Sequence, residues 1–175
     1  MKSLRCIRHR FNLSNWQSKI RHFVRAYTDV GEYHGIGQWT QAETADITYP
    51  DEDGSLLQYF RPTTLGTIND DQQPWLPGWL SGHDQHTLEW LFEVKCTTGP
   101  CDTYFFMSPS QYDMMRDLSQ AQGGSSKRQV YCIVRVYDIL SAHVGVKFFI
   151  DPWRYRDHGL DFGTTDKWKV KTTQR

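Results

Sequence analysis

The chain has 175 residues, 38% of them apolar and 25 of them aromatic, with twenty basic and twenty acidic side chains. That length suits one domain with a core of its own, and the aromatic content excludes a disordered, collagen-like or coiled-coil protein. No stretch approaches 18 consecutive apolar residues, which excludes a spanning helix, and the first eight residues have no apolar run of the secretory kind.

The zero net charge hides an asymmetry. Residues 1–28 carry seven Lys or Arg and no acid, residues 29–94 carry twelve acids and one base, and residues 95–175 carry twelve bases and eight acids. A basic N-terminal segment fits a polyanion partner, or pairing with the acidic middle of the same fold. The four cysteines, Cys6, Cys96, Cys101 and Cys132, have no zinc-ribbon spacing. Reduced thiols in the nucleus or cytoplasm are the expectation. His83, Asp84 and His86 lie close together in sequence, and a polar turn accounts for them better than a metal cluster.

In chain order, Trp16, Ile20, Phe23, Val24 and Tyr27 recur at helical spacing, with Ser14 or Asn15 as cap. Lys19, Arg21 and Arg25 fall off that stripe and are the candidate nucleic-acid contacts. Thr44–Tyr49 reads as a strand, residues 50–54 as a turn, and Ser55–Phe60 as a returning strand. Residues 61–86 are rich in Pro, Gly, Asp and Gln and read as an insertion or lid. Leu88–Cys96 is the most apolar strand, and Thr103–Met107 is another. Ser108, Pro109 and Gln111 open a helix with a capping box, running to about Leu118. Gln129–Tyr137 is apolar on both faces and reads as a central strand. Gly145–Ile150 is a further strand, and residues 154–175 read as a basic irregular tail. The order predicts an α/β (α+β) chain with one mixed sheet flanked by helices.

Within the strongest strand stands Glu93-Val94-Lys95. Alternation puts Glu93 and Lys95 on one face and Phe92, Val94 and Cys96 on the other. A carboxylate beside an ammonium on a buried strand is costly unless the two are paired or used. A metal-assisted hydrolytic site needs such groups, because Mg²⁺ takes hard oxygen ligands and a lysine offsets charge in the transition state. A surface ion pair is the alternative. The second carboxylate is Asp46, which sits inside the earlier strand where Asp is unfavourable by propensity. Glu43 could help or replace it. Asp84 is a rival, while Asp70 and Asp71 read as loop acids.

An Asp, a spacer and Glu-x-Lys on an apolar strand followed by a helix resemble the PD-(D/E)xK nuclease superfamily. More closely, the chain resembles the protein NO VEIN C-terminal domain in its fungal form. The likeness rests on Asn15-Trp16-Gln17-Ser18-Lys19-Ile20-Arg21, Glu43 to Tyr49, Phe92 to Cys101, Phe106 to Tyr112, Tyr131 to Tyr137 and Phe149-Ile150-Asp151-Pro152, and covers about residues 12–153. It implies a restriction-endonuclease-like core and a metal-dependent nuclease acting on nucleic-acid phosphodiesters, or an inactive module of that fold binding nucleic acid or protein. It implies Asp46 and Glu93 as ligands of Mg²⁺ or Mn²⁺, the carbonyl of Val94 as an extra ligand, Lys95 as the group serving the water or phosphate, and Gln111 as a polar site residue on the following helix. The capping box is the other role open to Gln111. Ala45 replaces the usual Pro before Asp46, and 47 positions separate Asp46 from Glu93. The family places a helix with a Gly-Glu motif before the Asn-Trp-Gln-Ser segment. Only fourteen residues precede that segment here, none acidic. The expectation is a chain without the first family helix, or a fragment.

Overall fold

The computed structural model of the chain describes residues 15–18, 37–41, 44–60, 88–119, 128–156, 159–164 and 168–172. They form a mixed α+β arrangement of two sheets. The elements are β1 (Ile47–Asp51), α1 (Ser55–Phe60), β2 (Leu88–Cys96), β3 (Phe105–Met107), α2 (Pro109–Leu118), β4 (Gln129–Tyr137), β5 (Gly145–Ile150), a 3₁₀ turn (Pro152–Tyr155), β6 (Leu160–Thr164) and β7 (Trp168–Thr172). The main sheet has the order β1-β2-β4-β5, with β2 and β4 parallel and the outer pairs antiparallel. The mixed sheet expected from the sequence is therefore present. The helical stripe from Ile20 to Tyr27, the 61–86 insertion and the His83–His86 turn lie outside the described residues.

Strands β2 and β4 are central because both of their faces are apolar. On one face, Leu91, Tyr131, Ile133 and Phe149 pack against Met115 and Leu118 of α2 and against Phe105, Leu160 and Val170 of the second sheet. On the other, Trp90, Phe92, Val130, Cys132 and Ile150 pack against Leu56, Leu57 and Phe60 of α1. The rings of Phe60 and Trp90 lie 5.2 Å apart, in an aromatic contact that adds to the area they bury. No helix among the described residues is long and apolar enough to cross a membrane.

Three sequence expectations are corrected. Ser55–Phe60 is a helix, not a returning strand. The cause is Asp51, which is fully buried and whose two carboxylate oxygens accept the N–H groups of Leu56 at 3.1 Å and Leu57 at 2.9 Å. Asp53 accepts the Ser55 N–H at 3.1 Å, and Gly54 turns the chain at φ 67°. These acids supply the free donors of a helix start with acceptors. Residues 154–175 are not wholly irregular: β6 and β7 join β3 in a second sheet of order β3-β7-β6. Trp16 does not open a helix. It bridges Ile47 on the outer side of β1.

Candidate functional site

Glu93 lies in the middle of the main sheet, 2% exposed. It faces α2, as alternation along β2 requires, while Phe92 joins the opposite core. Lys95, two residues on and on the same face, donates from Nζ to Glu93 Oε1 at 2.7 Å. Gln111 Nε2 donates to the same oxygen at 2.5 Å. Lys95 Nζ also reaches Gln111 Oε1 at 3.4 Å. The buried carboxylate is therefore both ion-paired and hydrogen-bonded, the condition under which burial of a charge is tolerated.

Gln111 combines its two expected roles. Its Oε1 accepts the Ser108 N–H at 2.9 Å, while its own N–H donates to Ser108 Oγ at 3.2 Å. That reciprocal pair is the capping box of α2, with Pro109 in the first turn. One amide thus starts the helix and holds Glu93.

Asp46 reaches the site differently from the strand alternation expected for it. The chain bends at Asp46 and β1 begins one residue later. Ala45 turns into the core with Leu91 and Tyr131. The Asp46 carboxylate meets the edge of β2, where its Oδ2 accepts the Val94 N–H at 2.8 Å. The earlier acid therefore touches the residue next to Glu93. Because N–H and C=O of one strand residue point to the same edge, the Val94 carbonyl faces the edge where Asp46 lies. The Asn15–Ser18 segment fixes this corner. Gln17 N–H donates to the Asp46 carbonyl at 2.9 Å, Gln17 Nε2 donates to Thr48 Oγ1 at 2.9 Å, and Gln17 Oε1 accepts from the Thr44 N–H at 3.2 Å.

Two site residues escaped the sequence reading. Arg135 of β4, side by side with Lys95 in the register, is fully buried and donates to the carbonyls of Lys95 (3.1 Å), Thr103 (2.8 Å) and Cys101 (3.4 Å). Its guanidinium also lies 5.1 Å from the centre of the Phe105 ring. Burial lowers its pKa. Arg135 braces the end of β2, and so the backbone of Lys95, against the loop leading to β3. The signal for it was a charge inside an otherwise apolar central strand. The second is Tyr131, on the Glu93 face of β4. Burial first, then the charges of Glu93 and Asp46, hold its phenol well above its usual pKa.

The oxygen donors along this stretch of β2 are the Glu93 carboxylate, the Val94 carbonyl and the Asp46 carboxylate that accepts the Val94 N–H. These are hard oxygens, of the kind Mg²⁺ and Mn²⁺ take. Among the described residues no three His, Cys, Asp or Glu side chains converge as a metal cluster. Two carboxylates are nevertheless enough for Mg²⁺, which retains several waters. Glu43, Asp70, Asp71, His83, Asp84 and His86 lie outside the described residues, as do the candidate nucleic-acid contacts Lys19, Arg21 and Arg25. No protein-family model, curated protein or solved structure matches this chain.

Proposed function

We propose that Asp46, Glu93 and Lys95 form the site of a metal-dependent phosphodiesterase acting on nucleic acid, on a restriction-endonuclease-like core of the PD-(D/E)xK and NO VEIN C-terminal kind. One observation carries the reading. Glu93 is a charged side chain 2% exposed, with one oxygen pinned by Lys95 and Gln111. A position needed only for packing would take an apolar side chain. The Asp46 carboxylate, bonded to the Val94 N–H, and the Val94 carbonyl are the further oxygen donors of this reading.

Asp46, Glu93 and Val94 would hold Mg²⁺ or Mn²⁺, which when bound supplies Lewis acidity at a phosphoryl oxygen and acidifies a water. The protein's own part is orientation and charge. Lys95 places a positive charge beside the carboxylate and offers it to negative charge developing on phosphate oxygens. Gln111 is a positioning residue that fixes the Glu93 rotamer. Leu91, Ile133 and Met115 are buried on the face of the sheet that Glu93 shares.

A second reading, a nuclease-fold module that binds nucleic acid or protein without turnover, is favoured by one feature. Lys95 is engaged by Glu93 and Gln111, and Asp46 Oδ2 by the Val94 amide. In such a module these groups only brace the sheet.

Cleavage of single- and double-stranded DNA and RNA, with Mg²⁺ or Mn²⁺ and with EDTA, separates the two. The enzyme reading expects metal-dependent cleavage that Glu93→Gln and Lys95→Ala both abolish while circular dichroism shows a folded chain. Cleavage retained in both variants overturns it. Binding that falls steeply with salt and gives no product under either metal selects the module.

A further inference from the structure

Tyr131 carries a polar atom that the described residues leave without a hydrogen-bond partner. It pairs with Leu91 in the β2–β4 register, two positions before Ile133, the partner of Glu93. Its side chain therefore stands on the Glu93 face of the sheet, within the core packed under α2. The residue is 2% exposed, and its hydroxyl finds no hydrogen-bond partner among the described residues. A buried hydroxyl in that condition costs stability, and Phe would fill the same volume without the cost. Burial first, then the charges of Glu93 and Asp46, push the phenol's pKa up from its ordinary value. A neutral phenol both accepts and donates. It can take a hydrogen bond from a water while offering its own proton to a carboxylate.

We infer that the Tyr131 hydroxyl is a positioning group of the Asp46–Glu93 site, accepting a hydrogen bond from a water carried by the divalent cation. The inference rests on the metal-site reading above. It explains why a hydroxyl is kept at a buried position where the described residues give it nothing to bond. Outer groups of this kind orient what the direct ligands hold, and their removal typically weakens metal affinity by about tenfold or more.

The test titrates Mn²⁺ into the full chain, its Tyr131→Phe variant and its Glu93→Gln variant, read by calorimetry and by the relaxation rate of Mn²⁺-bound water. Each protein is also melted in EDTA. The expected result is Mn²⁺ binding that Glu93→Gln abolishes and that Tyr131→Phe weakens about tenfold, with a changed water relaxation and no fall in the metal-free Tm. Equal Mn²⁺ affinity in wild type and Tyr131→Phe overturns the role of the hydroxyl and leaves the metal site standing. Wild-type chain that binds no Mn²⁺, or binds it regardless of Glu93, overturns the metal site and the inference together.

Discussion

Gln111 donates its side-chain amide to Glu93 Oε1 at 2.5 Å while its carbonyl accepts the Ser108 N–H at 2.9 Å. The start of α2 and the rotamer of a buried carboxylate are thus set by one planar group. Gln111→Ala removes both bonds. The lost cap costs about 1 kcal/mol, and the lost bond to a charged acceptor adds roughly 1.5–3 kcal/mol. Urea denaturation should therefore show a loss of about 2.5–4 kcal/mol, larger than for Ser108→Ala, which removes only an acceptor at the cap.

Lys95 is the only ammonium bonded to Glu93 among the described residues. Lys95→Ala removes an ammonium that pairs with a buried carboxylate, which costs up to about 3–5 kcal/mol. The double variant Glu93→Gln, Lys95→Met removes both charges and should regain most of that loss. A double-mutant cycle in urea checks it, and a double variant no more stable than Lys95→Ala would contradict the pairing.

Asp46 has a structural role that can be separated from its charge. Asp46→Asn keeps an oxygen for the Val94 N–H, which Asp46 Oδ2 accepts at 2.8 Å. It should stay within about 1 kcal/mol of wild type. Asp46→Ala leaves that amide unpaired and should lose about 1–3 kcal/mol. If the Asp46 charge serves a cation, Mn²⁺ affinity falls in both variants, although only one of them is destabilised.

The sequence made some of these elements legible and concealed others for physical reasons. Central β4 was readable because Val130 to Val134 is β-branched or apolar on both faces, and α2 because its start chemistry is local: Ser108, Pro109 and Gln111 lie within four residues. Glu93 and Lys95 stood out by strand alternation. Helix α1 did not, because its decisive group, Asp51, caps it from five residues upstream while also accepting from Trp90 Nε1 at 3.3 Å, 39 positions away. Strands β6 and β7 carry the alternations Leu160, Phe162 and Trp168, Val170, Thr172, but charged residues stand between them, and the pairing of β7 with β3 is long-range. Arg135 is a single charge within the apolar run of β4. Its role emerges only once three carbonyls from β2 and the following loop surround it.

Arg135 satisfies those three carbonyls with one guanidinium. A lysine cannot reproduce that fork. Arg135→Lys should cost about 2–4 kcal/mol, from the loss of hydrogen bonds to a charged donor. The destabilisation should be local as well as global, with faster amide exchange in residues 97–104 and at Lys95. Unchanged exchange there would mean that the loop is held by other contacts.

Alkaline stability tests the buried interior of β4. Tyr131 and Cys132 both have pKa values raised by burial. In the unfolded chain a thiol releases its proton near pH 9 and a phenol near pH 10, at about their ordinary values. In the folded chain both hold their protons beyond that point. The unfolded state therefore binds fewer protons as pH rises, and the slope of stability with pH is negative there. The contribution is whole below about pH 8.5 and is lost as pH climbs toward the folded values, at up to about 1.4 kcal/mol per pH unit for each group. Tyr131→Phe should remove one group's share of that slope above about pH 10 and leave the slope near neutrality unchanged. Cys132→Ala should remove the part that begins nearer pH 9. Urea midpoints measured from pH 7 to 11 in the three proteins give the slopes, and a Tyr131→Phe curve parallel to wild type above pH 10 would show that the phenol is not held protonated by its surroundings.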